Sequence, residues 1–265
     1  MGVLPGILFL LVGFCLGSFI NAVIIRWSKG RAVKLKKVLG INKKWWRSFC
    51  DNCQRKLLWW ENIPLVSFLV LKGRCRTCHS PIPYWYFFSE LITGIAFLLT
   101  YFYWSKNFLG HGLPISNYAM LLVYLLITTL LVFIFFYDAC YQIIPDWAVL
   151  ILIVLIFLTN FKNLGVALGA AGLFLFLHLL TRGRGMGIGD VKFAFFMGLF
   201  LGFPKIIFAF YLAFLTGALW GVILILRKKK KIGQQIAFGP FLVLGTFISW
   251  FWGDRFLDFF YQWFG

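Results

Sequence analysis

Apolar runs long enough to cross a lipid bilayer recur along this sequence, and they constrain its fold more than any other feature. The chain has 265 residues, of which 62% are hydrophobic, and its mean hydropathy is +0.88. A soluble domain of this length lacks the interior volume to bury so much apolar surface. Since helices satisfy their own backbone hydrogen bonds in lipid, the composition predicts an all-α membrane protein and excludes a soluble one.

Eight membrane-spanning helices are predicted. They cover residues 3–25, 86–104, 118–137, 143–161, 163–181, 191–204, 206–226 and 239–254. The first run is followed by Arg26 and a basic segment rather than by a small-residue cleavage site, so we expect a retained anchor. The sixth run is the shortest, and at about 1.5 Å per residue it does not cross a full bilayer as a helix. Residues 256–264 are predicted to form a short interfacial helix.

The placement of positive charge predicts the orientation in the membrane. The formal net charge is +18, from 26 Lys and Arg against 8 Asp and Glu. If the polar segment 26–85 is cytoplasmic, alternation of the spans leaves 22 bases inside and 4 outside, and an excess of Lys and Arg in cytoplasmic loops is typical of multi-pass membrane proteins. The bases bracket apolar runs without a nucleic-acid-binding motif, so lipid head groups are expected partners and nucleic acid is not.

Four of the six cysteines form two C-x-x-C pairs, Cys50 with Cys53 and Cys75 with Cys78, separated by 21 residues. Two such turns place four thiolates around one ion, which predicts a structural zinc site with no open coordination position. Two disulfides are the alternative, and the predicted cytoplasmic location disfavours them. His79 is expected to be a neighbour of the site rather than a ligand.

Two acidic residues stand where apolar runs meet polar segments. Asp138 ends the third predicted span, and Asp190 follows the glycine-rich turn 183–189. The predicted topology places both at the cytoplasmic mouth, where an ionisable residue is a candidate for function. Paired carboxylates can activate water and polarise a carbonyl group. The alternatives are a proton relay in a transporter and, for Asp190, an ordinary helix cap; Asp146 is expected to be such a cap.

Several further motifs occur in order along nearly the whole chain. Besides both C-x-x-C pairs, they are residues 17–26 (GSFINAVIIR), 61–67 (ENIPLVS), 89–94 (SELITG), 138–146 with Asp138 and the Ile-Pro-Asp end, 187–192 (GIGDVK) and 238–242 (FGPFL). Jointly they closely resemble the type IV prepilin peptidases, which are leader peptidases and N-methyltransferases of the GxGD membrane aspartyl protease group.

This resemblance implies an eight-helix membrane enzyme with Asp138 and Asp190 as the catalytic pair near the cytoplasmic surface. The implied substrates are prepilins or pseudopilins, cut after a glycine that ends a short basic leader. The new N-terminus would then be methylated from S-adenosylmethionine. In the family the cysteine-bearing region is associated with methyl transfer and with zinc. Glu90 matches a family position, and it is expected either to contact substrate or to be a hydrogen-bonded structural acid.

The chain is accordingly divided into a first transmembrane helix (residues 1–25), a cytoplasmic zinc-binding and methyltransferase domain (26–85) and a membrane aspartyl peptidase domain (86–265). One alternative is a peptidase of the same group without methyltransferase activity. A proton-coupled transporter is the other, and it predicts acids near the middle of spans and a repeated architecture, neither of which the sequence has. The binding site of the methyl donor and the oligomeric state are left open.

Overall fold

Helices account for nearly all the regular structure of the chain, as the hydropathy predicts. A computed structural model describes residues 3–34, 48–50, 52–108, 115–159, 161–183, 185–227 and 236–264. The long helices are α1 (Val3–Lys34), α3 (Tyr84–Phe108), α4 (Ile115–Tyr141), α5 (Asp146–Thr159), α6 (Leu164–Leu180), α7 (Ile188–Leu201), α8 (Lys205–Leu226) and α9 (Gly239–Phe264). A 3-10 turn (Trp59–Asn62) and the short helix α2 (Val66–Val70) lie between α1 and α3. The all-α prediction is confirmed.

Four of these helices are long and apolar enough to cross a membrane. They are α1, α3, α4 and α8, with apolar stretches of 22 to 24 residues, whereas α5 and α6 are apolar but shorter. Lipid-facing character is clearest in α8, where Leu215, Leu219 and Leu226 are exposed. A multi-pass membrane protein follows from these helices.

Two boundaries differ from the sequence prediction. The sixth predicted span becomes α7, which begins at Ile188 because Gly187, in extended conformation, occupies its N-cap position. The last predicted span continues without a break through Phe264, so the separate interfacial helix over 256–264 is not observed. The charged residues near position 254 do not interrupt α9. Asp254 forms an ion pair with Lys205 at 2.8 Å while it stays in the helix.

The chain divides into two compact units, residues 1–129 and 130–265, and α4 runs through the division. In the first unit α1 packs along α3. The two backbones come close at Gly17, where an added Cβ would lie 2.6 Å from the Cα of Glu90. Gly17 therefore sets the spacing of α1 and α3. Farther along α3, the buried hydroxyls of Thr100 and Thr128 hydrogen-bond at 2.8 Å and join α3 to α4.

The second unit is built around α7, which packs against α5, α6 and α9. Phe193, Phe196 and Met197 of α7 are completely buried. The approach of α6 is close because Gly198 faces it: a Cβ there would lie 2.5 Å from the Cα of Ala167. A helix that is buried this deeply holds the residues of its first turn in fixed positions.

Candidate functional site

The structure brings Asp138 and Asp190 to one cavity in the second unit. Asp138 lies in the last turn of α4 and Asp190 in the first turn of α7, and only 4% and 8% of their surfaces are exposed. The cavity has a volume of about 320 Å³ and is lined by both aspartates, by Gly183 and residues 185–189 of the glycine-rich turn, by residues 142–144, by Asp146 and by residues 236–238. Two acids 52 positions apart in the sequence therefore line the same cavity.

The carboxylate of Asp138 is oriented by the start of another helix. Gly239 is the first residue of α9, and its backbone N–H donates to Asp138 Oδ2 at 3.0 Å. At the end of α4 the helix dipole disfavours a negative charge, but the start of α9 favours one. A Cβ at Gly239 would lie 2.6 Å from Asp138 Oδ2, so only glycine fits here without displacement.

Asp190 is held in a similar way by the start of its own helix. It is the third residue of α7, and its Oδ2 accepts a hydrogen bond of 2.9 Å from the backbone N–H of Gly187. The carboxylate does cap α7, but from inside the helix rather than from the N-cap position that the sequence suggested. In the part of the chain that the structure describes, each aspartate thus accepts one backbone hydrogen bond on Oδ2, from a helix N-terminus.

The turn that leads to Asp190 is shaped by Gly183, one of its predicted glycines, and by His178, to which the sequence assigned no role. Gly183 has a φ of +72°, a left-handed conformation that favours glycine. His178, near the end of α6, has its Nδ1 2.7 Å from the carbonyl oxygen of Met186. Since a carbonyl oxygen only accepts, Nδ1 is the donor. His178 therefore ties the turn to α6, and no motif in the sequence marks it.

An ion pair lies beside the cavity. Asp146 is the first residue of α5, and its Oδ1 is 2.8 Å from Nζ of Lys192 in α7. Both side chains are largely exposed, at 70% and 44%. Such a pair contributes little to stability. Of the three acids at this end of the unit, Asp146 is therefore the solvated one and Asp138 and Asp190 are the buried ones.

This arrangement suits general acid and base chemistry on a water molecule. Two buried carboxylates in one cavity repel each other when both are ionised, so protonation of one of the two is favoured. An ionised member can then accept a proton from water while a protonated member donates to a substrate oxygen.

The four cysteines predicted as ligands form a cluster in the first unit. The Sγ atoms of Cys50, Cys53, Cys75 and Cys78 all lie within 4.8 Å of one another. Cys50 and Cys78 are 3.8 Å apart and Cys53 and Cys75 are 4.0 Å apart. A tetrahedral site with metal–sulfur bonds of about 2.3 Å has edges of about 3.8 Å. The cluster therefore fits a four-coordinate metal ion, and all four sulfurs are free thiols rather than disulfides.

Each C-x-x-C pair lies in a tight turn of the backbone. The N–H of Cys50 donates to the carbonyl oxygen of Arg55 at 2.9 Å, and the N–H of Cys75 donates to that of Ser80 at 2.9 Å. Hydrogen bonds from Ser80 lower the pKa of Cys78 to about 5; the largest effect comes from the Ser80 hydroxyl and the next from its backbone. The second turn thus favours the thiolate form of Cys78.

A buried ion pair braces the cysteine cluster. Glu61, whose side chain is completely buried, accepts hydrogen bonds from Arg55 at 2.6 Å and from the N–H of Leu58 at 2.7 Å. Burial raises the pKa of Glu61, but these hydrogen bonds and the charge of Arg55 outweigh it, so the net pKa is lowered. The guanidinium of Arg55 also interacts with Cys75. Arg55 therefore links the cluster to Glu61.

Comparison with known proteins gives matches over both units. The model of the bacterial peptidase A24 N-terminal domain matches residues 11–104, and that of the type IV leader peptidase family matches residues 125–222. A prepilin leader peptidase/N-methyltransferase of Legionella pneumophila is 32% identical over 96% of this chain and 94% of its own length.

Two further relatives carry the same name. The protein from Pseudomonas aeruginosa is 31% identical over 93% of this chain and 90% of its own length. The protein from Neisseria gonorrhoeae is 31% identical over 89% of this chain and 87% of its own length. No solved structure matches the chain.

Proposed function

This chain belongs to the type IV leader peptidase family, and on that premise we propose that it is a prepilin peptidase that uses Asp138 and Asp190 as its catalytic pair. It cleaves the basic leader from type IV prepilins or pseudopilins and methylates the new N-terminus with S-adenosylmethionine. The observation that carries the peptidase assignment is the shared cavity of the two buried aspartates, each oriented by a backbone N–H.

Hydrolysis follows from the division of labour between the two carboxyl groups. The ionised one accepts a proton from a water molecule as the water oxygen attacks the scissile carbonyl carbon, and the protonated one donates to the carbonyl oxygen. When the intermediate collapses, the electrons of the C–N bond pass to nitrogen, which takes a proton from a carboxyl group. The hydrogen bonds from Gly187 and Gly239 hold both carboxylates in place in the cavity.

The proposed topology has eight spans, with the aspartate cavity at the cytoplasmic face of the inner membrane. The excess of bases in the segments assigned to that side supports it. A transporter would place its acids near the middle of spans, whereas Asp138 lies in the last turn of α4 and Asp190 in the first turn of α7. The position of both acids at helix ends therefore favours a peptidase over a proton relay.

We assign the peptidase to residues 86–265, an anchor helix to residues 1–25 and methyl transfer to the cysteine-bearing segment 26–85. The four thiols hold a structural zinc ion, through Cys50, Cys53, Cys75 and Cys78. Their spacing and the absence of a fifth position in a tetrahedron of sulfurs support a structural rather than a catalytic metal. Zinc supplies a cross-link between two parts of the segment, and it takes no part in hydrolysis.

The experiment uses the purified full-length protein with a prepilin that carries its leader, with and without S-adenosylmethionine, and mass analysis of both products. We expect cleavage after the glycine that ends the leader and one added methyl group on the new N-terminus only when the donor is present. Asp138→Asn and Asp190→Asn should each abolish cleavage, because neither amide can accept or donate the required proton.

A second peptide without the leader separates the two activities. Methylation of this peptide by the Asp138→Asn variant would show that methyl transfer is independent of the aspartate pair. Cleavage without any methylation would leave the second candidate, a peptidase of this family that lacks methyltransferase activity. Wild-type cleavage rates in either aspartate variant would contradict the catalytic assignment of that residue.

A further inference from the structure

A cavity in the first unit has the properties of a small-molecule site. It has a volume of about 390 Å³, which falls within the range of about 300–1,000 Å³ usual for such sites. Its walls come from α1, from the cysteine-bearing segment and from the first two turns of α3. Its lining includes the side chains of Ser18, Arg55, Glu61, Ser67, Phe87 and Glu90.

Of the two buried acids in this wall, Glu61 already has a cationic partner. One carboxylate oxygen accepts from Arg55 and the other from the N–H of Leu58. The guanidinium of Arg55 compensates the negative charge of Glu61, with Arg55 Nη2 2.6 Å from Glu61 Oε1. Glu61 therefore completes the support of the cysteine cluster and has no need of a charged ligand.

Glu90 is different, because the described groups that hydrogen-bond its carboxylate are neutral. It is 8% exposed, its Oε2 accepts a hydrogen bond of 2.7 Å from the N–H of Leu65, and the Ser18 side chain also hydrogen-bonds it. Among the side chains that the structure describes, which exclude those of residues 26–47, no Lys, Arg or His lies at ion-pair distance from this carboxylate. A carboxylate has about four acceptor positions, so Glu90 has capacity for a cation that enters the cavity.

The rest of the wall is rigid and partly aromatic, which also suits a cation. The amide of Asn21 fixes the first turn of α3 to α1, since it accepts from the hydroxyl of Ser89 at 2.6 Å and donates to the carbonyl of Tyr86 at 3.2 Å. The rings of Phe68 and Phe87 pack 5.4 Å apart and both line the cavity. Aromatic faces attract cations electrostatically, so aromatic and carboxylate groups here favour the same class of ligand.

We propose that this cavity binds the sulfonium methyl donor and that Glu90 is the counter-charge of its positive sulfur. This inference rests on the proposed methyltransferase function. In the reaction, the neutral amine of the new N-terminus, after losing a proton to water, attacks the methyl carbon. The carbon–sulfur bond breaks, and its electron pair stays on sulfur. The positive charge thereby moves from sulfur to nitrogen, so Glu90 attracts the sulfonium donor and not the neutral thioether product.

The test is a comparison of two ligands that differ in that charge, S-adenosylmethionine and S-adenosylhomocysteine. Their dissociation constants are measured by equilibrium dialysis on the purified full-length protein. A charge-assisted contact corresponds to about tenfold or more in affinity, so the wild type should bind the sulfonium at least about tenfold more tightly. In Glu90→Gln that preference should disappear, through weaker binding of S-adenosylmethionine with S-adenosylhomocysteine unchanged.

Glutamine is the appropriate substitution because its side-chain oxygen still accepts from the N–H of Leu65, so a purely structural role of Glu90 is preserved. The bound zinc and the gel-filtration profile of the variant check its folding. Asp258→Asn, the same chemical change at an exposed residue of α9, should leave both affinities as they are. Ser67→Leu, which fills the cavity, should weaken both ligands.

Equal weakening of both ligands in Glu90→Gln would overturn the assignment, because the carboxylate would then contact a part that the two ligands share. Undiminished binding in both Glu90→Gln and Ser67→Leu would place the donor outside this cavity. Wild-type cleavage and methylation, measured on the same preparation, report on the proposed function separately. If the wild type methylates its substrate but Glu90→Gln keeps the same preference for S-adenosylmethionine over S-adenosylhomocysteine, the assignment of Glu90 is contradicted and the proposed function is not.

Discussion

Asp138 and Gly239 are 101 residues apart in the chain, and the backbone N–H of Gly239 donates a 3.0 Å hydrogen bond to the carboxylate of Asp138. The contact joins the last turn of α4 to the first residue of α9. An added Cβ at position 239 would lie 2.6 Å from Asp138 Oδ2. A larger residue there would therefore displace the Asp138 carboxylate. The geometry of the aspartate cavity thus depends on a residue without a reactive group.

Gly239→Ala should therefore reduce prepilin cleavage without unfolding the protein. The new methyl group must displace the Asp138 carboxylate, and a shift of about 1 Å in a catalytic group can lower the rate about 100-fold. Gly187→Ala should lose less, because its Cβ would lie 3.4 Å from Asp190 Oδ2, an ordinary contact, and its N–H is retained. Cleavage rates at saturating prepilin measure both, and a Gly239→Ala enzyme as fast as the wild type would contradict this account.

The packing of α7 against α6 gives a second prediction. Gly198→Ala should destabilise the second unit by about 1–3 kcal/mol, the usual effect of overpacking, because its Cβ would meet the Cα of Ala167 at 2.5 Å. Since α7 carries Asp190, cleavage should fall as well. Gly172→Ala in α6 is the matched control, with nothing within 4 Å of its Cβ. Thermal unfolding in detergent compares the two, and equal melting temperatures would show that α6 and α7 are not in close contact.

The hydrogen bond of His178 to the turn gives a third prediction. His178→Leu should lower kcat by up to about tenfold, the value of one positioning hydrogen bond, because the turn before Asp190 loses its tie to α6. His178→Asn should recover much of the activity, since the Asn Nδ2 can donate from nearly the position of Nδ1. Thr181→Val is the control, because the described hydrogen bonds of the Thr181 hydroxyl go to the carbonyls of Leu177 and His178 in α6. Equal rates in His178→Leu and His178→Asn would show that the hydrogen bond has no role.

The sequence predicted the helices well because their signal is local. The third predicted span, 118–137, corresponds to α4 at Ile115–Tyr141, and all eight predicted segments contain a helix. The start of α7 was placed too late, because Asp190 in a glycine-rich turn resembles an N-cap, whereas its carboxylate reaches back to Gly187 from the third helical position. An acid at either position caps a helix, so local sequence does not distinguish the two.

The grouping of the candidate acids and thiols was predictable from the sequence, whereas the residues that support them were not. Asp138, Asp190 and the four cysteines are conspicuous because acids and paired thiols are rare in such an apolar chain. Gly239 and His178 act through a close approach and one hydrogen bond, which appear only when distant segments are brought together. Glu90 was visible as an acid, but its lack of a cationic partner within the described residues is a property of the three-dimensional structure.

The cysteine cluster gives the last prediction. Cys75→Ser should reduce bound zinc well below about one ion per chain, because the site then lacks one of the four thiolates that a tetrahedral zinc needs. Methylation should fall more than cleavage, since Arg55 links Cys75 to Glu61 in the wall of the first unit's cavity, whereas the aspartates lie in the second unit. Cys15→Ser, at an exposed thiol of α1 outside the cluster, should keep both the zinc and the two activities.

Zinc is measured by elemental analysis of the purified protein. Full zinc content in Cys75→Ser would refute the four-thiolate site, and equal loss of cleavage and methylation would show that the cluster supports the whole chain rather than the first unit.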